Sequence, residues 1–386
     1  MPTAQPNRRP RILQVVSHLA LGGAERVALS ITEALLQDCD FHLFAVRGIE
    51  PGGLGAELAA EVHSLNIPLH LGMRVPMRFG GVITSGIGLT RVVKRVRPDL
   101  IHLHTEIPEA AYAAMVTLTP SLRDIPVVRT IHDSVFWEFS RTLGKWCNRR
   151  LSHAQIVGVS EDATAAASQL CRESSVALES RPPLTIFNGV AAPTTTDSRQ
   201  DKTAQTRPVQ LVFGGRLEPQ KGSDLLPAIL ALVRPPATGA HLAIYGTGSH
   251  EKILRRLAQH PPAGWSVELR APVANFSRQL ANFDAVLMPS RYEGLGLVAI
   301  EAAMRGVPTV ATRSRGLHRA FPADYPWLAT PGDAADFARL VQQALDHPEM
   351  RAQAGSTARA FAQKHFSMEA MSASYKTLYQ KALLAE

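Results

Sequence analysis

Through residues 1–190, short β-branched runs alternate with longer stretches in which apolar positions recur every three or four residues. A period near two that gives way to one of 3.6 marks βα units, and repeats of that unit predict a parallel sheet with helices on its faces. The pattern predicts strands at 12–16, 41–46, 100–103, 127–131 and 155–159. Helices are predicted at 23–36, 54–65, 86–96, 108–117 and 162–170, the first with Val27, Ala28, Ile31 and Leu35 on one face. Residues 191–208 are rich in Pro, Thr, Asp, Gln and Arg and poor in large apolar residues, which is the composition of a linker. Strands then restart at 209–213, 241–245, 266–269, 285–288 and 309–311. The expected architecture is α/β: units at 1–190 and 209–365 joined by the linker at 191–208, with a closing helical segment at 366–386. Open parallel sheets bind ligands beyond the carboxyl ends of their strands. The chemistry is therefore expected just after strands, in a cleft between two such edges.

Three motifs stand there. Gly22-Gly23-Ala24-Glu25-Arg26 follows the first strand and opens a helix, so a backbone without side chains and a helix N-terminus face the same point. A tight strand-to-helix turn accounts for it equally well, and the Gly-x-Gly-x-x-Gly spacing of a dinucleotide site is missing. Phe213-Gly214-Gly215-Arg216-Leu217-Glu218-Pro219-Gln220-Lys221-Gly222 ends the first strand of the second unit. Arg216 offers a planar fork and Lys221 a point charge, a combination suited to a diphosphate. Isolated, either is an ordinary solvated loop charge; the bracketing glycines at a strand end argue otherwise. Pro289-Ser290-Arg291-Tyr292-Glu293-Gly294-Leu295-Gly296-Leu297 follows the strand at 285–288, and the helix that begins near Leu297 carries Glu301. Two carboxylates flanking a helix start that favours anions suit the hydroxyls and phosphates of a sugar nucleotide.

Arg216 with Lys221, and Glu293 with Glu301 separated by seven residues in Glu-Gly-Leu-Gly-Leu…Glu-Ala, resemble the retaining GT-B glycosyltransferases of family 4. Gly-Gly-Ala-Glu-Arg, Val159-Ser160, Asn188-Gly189-Val190 and Phe366-Ser367 before a Tyr-containing helix fit the same layout. The resemblance implies two Rossmann-like domains, the first for the acceptor and the second for the nucleotide sugar, with the last helix crossing back to the first. It implies a hexosyl group moved with retention from a nucleoside diphosphate sugar, such as a UDP-sugar, to a hydroxyl acceptor in cell-envelope polysaccharide or glycolipid synthesis. Arg216 and Lys221 would hold the diphosphate, Glu301 the ribose, and Glu293 the transferred sugar. Gly22, Gly23, Gly215, Gly294, Leu295, Gly296 and Leu297 would line the donor. His132, in Thr-Ile-His-Asp at a strand end, would stand beside the donor sugar as a catalytic residue with Arg216, Lys221 and Glu293; His104 is a candidate on the acceptor side. No metal or other cofactor is expected, because Arg216, Lys221 and backbone amides supply the positive charge. One loop departs from the family: Arg315-Gly316-Leu317-His318-Arg319 stands where a Gly-Gly and Pro-Glu pattern is usual, which points to a changed donor sugar. The alternatives are a nucleotide-sugar epimerase or hydrolase, and a non-catalytic nucleotide-sugar-binding scaffold; loss of Glu293, Arg216 or Lys221 would mark the scaffold, and all three are present.

Composition narrows the setting. The chain of 386 residues is 45% hydrophobic, enough for two cores, and charged residues interrupt its apolar runs before they reach the length of a membrane span. Arg8, Arg9 and Arg11 before Ile12 imitate a secretory leader, but His18 cuts the run short, and the reading is a first strand in a cytoplasmic protein. Cys39, Cys147 and Cys171 are far apart and read as reduced thiols. A net charge of +8 attracts anions generally, while only 6% aromatic residues argue against a nucleic-acid binder. Two basic stretches qualify as peripheral contacts with an anionic membrane, where a lipid-linked acceptor would be met. The first has Arg91, Lys94, Arg95 and Arg97 among Leu89, Val92, Val93 and Val96; the second has Arg141, Lys145, Trp146, Arg149 and Arg150. Solvated helix faces are the plainer explanation of both.

Overall fold

The structure, a computed structural model, describes residues 8–20, 22–51, 53–76, 80–178, 181–193 and 207–384. Most of the expected linker, residues 194–206, lies outside the described residues, as do the last two residues of the closing segment. The chain divides into two compact units, Met1–Gly189 with Glu369–Glu386, and Val190–Met368.

Unit 1 runs β1 (Arg11–Val16), α1 (Gly23–Ala34), β2 (Asp40–Ala45), α2 (Gly53–Ser64), β3 (Leu69–Leu71), α3 (Gly81–Val96), β4 (Leu100–His104), α4 (Glu106–Leu118), β5 (Val127–Ile131), α5 (Arg141–Arg150), β6 (Gln155–Gly158), α6 (Glu161–Glu173) and β7 (Leu184–Thr185). Its strands pair in parallel in the order β3-β2-β1-β4-β5-β6-β7. Every residue of β4 and β5 is buried, as befits central strands covered by helices on both faces. Unit 2 runs β8 (Val209–Gly214), α7 (Leu226–Leu232), β9 (Ala240–Tyr245), α8 (Glu251–Gln259), β10 (Trp265–Arg270), α9 (Phe276–Gln279), β11 (Ala285–Met288), α10 (Leu297–Met304), β12 (Thr309–Thr312), β13 (Leu328–Ala329), α11 (Ala334–Asp346) and α12 (Pro348–His365). Its parallel order is β10-β9-β8-β11-β12-β13. The last helix, α13 (Met368–Leu384), packs within unit 1, where Tyr375 and Tyr379 are buried.

Several elements differ from expectation. β3, β7 and β13 have two or three residues each, too few to show a period. α3 begins at Gly81, not at 86, across a glycine-rich segment that reads as irregular. A Cβ on Gly86 would lie 2.5 Å from that of Ala114, so the small residue serves close packing of α3 on α4. Leu89, Val93 and Val96, expected to face a membrane, are buried within unit 1, leaving Arg91, Lys94, Arg95 and Arg97 on the exposed side. On α5, Arg141 and Lys145 are drawn to Glu173, at 2.7 and 3.5 Å.

Both sheets reverse direction of strand order beside their first strand, between β1 and β4 and between β8 and β11. Loops on either side of such a reversal diverge and leave room for a ligand.

Candidate active site

In unit 2 the reversal brings together the loops after β8 and β11. Past Gly214 the chain turns through residues 219–222, where Gly222 has φ +64 and a Cβ would lie 1.9 Å from the carbonyl oxygen of Pro289. Only glycine permits that approach. Lys221 is thereby carried to Glu293, its Nζ 2.7 and 2.8 Å from the two carboxylate oxygens. Ser290 Oγ donates to Glu293 Oε1 at 2.9 Å. The Glu293 side chain is 7% exposed and that of Lys221 22%, so the pair sits at the edge of the interior with one side wet.

The surrounding loop is braced. Arg291 grips Asp224 with two hydrogen bonds of 2.7 and 2.8 Å, which hold that carboxyl below the usual carboxylate range. The Arg291 amide donates to the carbonyl of Gln220 at 2.8 Å. Arg216 does not join Lys221 on Glu293: it is exposed, and its Nη2 donates to Gln220 Oε1 at 2.6 Å. Gly215 follows β8 beside the Lys221 stem, with 3.8 Å between the lysine carbons and a Cβ placed on the glycine. Gly294, Leu295 and Gly296 are buried, and Gly296 caps α10 without a side-chain hydrogen bond. The first amides of α10, from Leu297 on, thus lack a side-chain cap and favour an anion. Glu301 is half-buried in the second turn of that helix. The unusual loop at 315–319 packs on the same corner: Glu293 N donates to the carbonyl of Arg315 at 2.9 Å. A Cβ on Gly316, which has φ +76, would lie 2.0 Å from the Glu293 carbonyl.

Sequence reasoning passed over Gly246-Thr247-Gly248-Ser249, the loop after β9. A Cβ on Gly246 would lie 2.0 Å from the Gly215 carbonyl, and Ser249 donates from its amide and hydroxyl to Glu218, at 2.9 and 2.6 Å. The signal was present: paired glycines directly after a predicted strand, the same feature that singled out Gly214 and Gly215.

Unit 1 gathers histidines at its own reversal. His104 ends β4, His132 follows β5, and His104 Nδ1 lies 2.9 Å from His132 Nε2. His104 Nε2 lies 2.7 Å from Gln14 Oε1, and Gln14 Nε2 donates to the Tyr379 hydroxyl at 3.3 Å. That hydroxyl lies 2.7 Å from His102 Nδ1, whose ring reaches Thr130 Oγ1 at 2.7 Å, and Thr130 meets the Tyr375 hydroxyl at 3.1 Å. The row joins the strand-end histidines to α13. With Gln14 oriented so that its oxygen accepts, His104 carries its proton on Nε2 and accepts from His132 Nε2. His132 then presents Nδ1 as an acceptor, and that nitrogen has no partner among the described residues. Burial pushes His132 down to about 3 and His102 and His104 well below the ordinary value of 6.5, with neighbouring rings adding to the shift for the latter two. All three rings are neutral at physiological pH. Thr105, directly after β4, holds φ +73, a strained conformation for a β-branched residue, and its hydroxyl lies 2.6 Å from that of Ser17.

Gly22 precedes α1 and Gly23 opens it, but the Glu25 carboxylate rests against Gly22, 2.2 Å from where a Cβ would stand. The positive end of α1 therefore already faces an anion of the chain. Cys39, Cys147 and Cys171 are buried and free. Among the described residues, no group of three or more His, Cys, Asp or Glu side chains is placed to hold a metal, and no helix is long and apolar enough to cross a membrane.

Two parallel α/β sheets of seven and six strands, each with its polar residues gathered at the reversal of strand order, define the GT-B fold. The Anabaena protein HepE, solved in complex with UDP and glucose, superposes with a TM-score of 0.78 over 97% of this chain and 100% of that one, at 18% sequence identity. The family of glycosyl transferases group 1 matches residues 194–361, and Glycosyltransferase Family 4 matches residues 21–177. Each half of the chain thus matches a glycosyltransferase family. Among curated relatives, it is 35% identical over 177 residues to the D-inositol 3-phosphate glycosyltransferase of Pseudarthrobacter chlorophenolicus, covering 44% of this chain and 42% of that protein. It is 32% identical over 173 residues to the GDP-mannose-dependent monoacylated alpha-(1-6)-phosphatidylinositol monomannoside mannosyltransferase of Corynebacterium glutamicum, covering 43% of this chain and 45% of that one. Both matches span less than half of the relative's length.

Proposed function

We propose that the chain is a retaining glycosyltransferase that moves a hexosyl group from a nucleoside diphosphate sugar to a hydroxyl acceptor in cell-envelope polysaccharide or glycolipid synthesis. The observation that carries this reading is the Lys221–Glu293 pair at the unit 2 reversal, held at 2.7 Å with one side wet. A lysine so placed has a counter-ion while the site is empty and a second anion to turn to when a diphosphate arrives. Arg216, exposed and close in sequence, with a hydrogen bond to Gln220, is the second cation. The solved complex of HepE with UDP and glucose supports a donor of this class.

In this reading the glycosidic bond to the diphosphate breaks as the acceptor oxygen bonds to the anomeric carbon on the same face. The departing diphosphate oxygen takes the acceptor's proton. Lys221 and Arg216 stabilise the charge that builds on the diphosphate, so the reaction needs no metal ion for that purpose. Glu293 and Glu301 accept hydrogen bonds from donor hydroxyls, and His132 Nδ1 accepts one more. The altered loop at 315–319, packed on Glu293, fits a donor sugar changed from the family's usual one. Arg91, Lys94 and Arg95 of α3 and Arg97 at its end, all exposed, with Ile83 and Ile87 exposed along the same helix, suit a cytoplasmic protein peripheral to an anionic membrane.

The test is thermal stabilisation by UDP, GDP, ADP and dTDP. One nucleotide is expected to raise the melting temperature of the wild type and to lose that effect in Lys221→Ala, since only a ligand of the native state stabilises it. No shift with any of the four overturns the donor assignment.

A further inference from the structure

Beyond the carboxyl ends of β1, β2 and β3, unit 1 has a cavity of about 180 Å³, lined by His18, Arg47, Glu50 and Arg74. Backbone pairing that continues past the strand ends fixes its walls. Arg47 N donates to the carbonyl of Ser17, Leu19 N to that of Gly48 and Glu50 N to that of Leu19, each at 2.9 Å. On the far side Gly72 N donates to the Ala45 carbonyl at 2.8 Å, and a Cβ on Gly72 would lie 2.1 Å from the carbonyl oxygen of Val46. The segment leading to Arg74 therefore lies directly against the one leading to Arg47. Three loops tied to one sheet hold the four side chains.

The charges inside do not balance. Glu50 is the one carboxylate lining the cavity; its oxygens lie 3.7 Å from His18 Nε2 and 4.0 Å from Arg74 Nη2. Arg47 has no ion-pair or hydrogen-bond partner for its side chain among the described residues, and its Nε is buried. Two guanidiniums against one carboxylate leave one positive charge over even with His18 neutral. A buried guanidinium nitrogen without an acceptor is destabilising, and two like charges facing one small space repel. An anion between the arginines removes both penalties through charge-assisted hydrogen bonds in the planar geometry that arginine favours. The space is below the roughly 300 Å³ of pockets that enclose whole drug-sized ligands, so it admits a phosphate group and not a nucleotide.

We propose that this cavity binds a phosphate group of the acceptor, with Arg47 and Arg74 on its oxygens and Glu50 steadying His18 and Arg74. Only the assignment of that phosphate to the acceptor rests on the glycosyltransferase reading; the anion site stands on its own geometry.

The experiment is equilibrium binding of inorganic phosphate and glycerol 3-phosphate to the full chain carrying Lys221→Ala, which disables the other phosphate candidate. One phosphate per chain is expected, weakened about tenfold or more by adding Arg47→Gln or Arg74→Gln. Arg74 is half exposed, so its replacement leaves the fold intact, and an unchanged melting temperature checks both variants. Vesicles of phosphatidylglycerol form the second arm. Arginine-dependent binding of glycerol 3-phosphate identifies a soluble phosphorylated acceptor, and arginine-dependent binding of vesicles alone identifies a lipid headgroup. Phosphate binding untouched by both substitutions, or no binding in any arm, overturns the site. Because turnover is not read and the donor lysine is absent, this result and the nucleotide test fail independently.

Discussion

The two sheets reverse strand order at equivalent places, yet the residues beyond the reversals have opposite electrical character. In unit 2 they are ions: Lys221 on Glu293, Arg291 on Asp224, and Arg216 in solvent. In unit 1 they are neutral dipoles: His132, His104, Gln14, Tyr379, His102 and Thr130 in one buried row. A neutral row tolerates full burial as long as each member keeps its partner, and it gains rigidity from being continuous. A charged pair with one wet side can exchange partners when another ion arrives. One edge holds a ring in a fixed orientation, and the other keeps a charged pair open to exchange.

The contrast is broken most severely by removing a charge from unit 2 without changing its shape. Glu293→Gln is expected to lower kcat about 100-fold while nucleotide binding persists, because Lys221 is kept; steady-state kinetics with the nucleotide sugar identified by thermal shift would show an unaltered kcat if Glu293 takes no part. Next in size is a backbone effect. Gly222→Ala forces a side chain into φ +64 and against the Pro289 carbonyl, and a loss of about 2 kcal/mol or more in urea unfolding is expected. Wild-type stability would mean that the two loops are not held together as described.

The neutral row predicts a pH dependence in the other unit. His102, His104 and His132 have folded pKa values below the ordinary 6.5, that of His132 near 3, so the unfolded chain takes up protons first as pH falls. Their contribution to stability is complete above about pH 6.5 and declines from there toward pH 3. Hydrogen exchange at pH 7 and pH 5, corrected for intrinsic rates, is expected to show β4 and β5 losing protection before β8 and β11; equal loss would count against the buried neutral histidines. The mildest change is Tyr379→Phe, worth about 1 kcal/mol. Its diagnostic is nitrogen NMR of the histidines: His132 protonated on Nε2 in the wild type, and a mixture of tautomers once Gln14 is free to turn. A single unchanged tautomer would show that α13 does not orient the row.

Much of the frame was legible because parallel strands buried on both faces leave a strong apolar signal. The strands at 12–16, 127–131 and 285–288 stand within a residue of their observed bounds. β7 and β13, two residues each, offer no period to detect, and the early turns of α3 are written in glycines whose use is contact with α4. At the site, glycine pairs after strands exposed the loops of unit 2, since only backbone constraints produce them. Pairing was not legible: nothing in the spacing says that Lys221 meets Glu293, because the contact depends on Gly222 touching Pro289, 67 residues away. The histidine row was hidden for a similar reason. His102 and His104 alternate along β4 with apolar neighbours and look like core positions, and Tyr379 lies 277 residues from His102.

The helix α13 gives the molecule an order of completion. A ribosome releases residues 11–189 before any of unit 2, but the hydroxyls that close the polar row of unit 1 belong to Tyr375 and Tyr379, which follow the whole of unit 2 in the chain. Until then Gln14 and His102 lack the Tyr379 hydroxyl as a partner. Unit 2, one uninterrupted segment, has all its parts as soon as it has been synthesised. The unit whose strands come first in the chain therefore gains its last partners only after the other unit has been made.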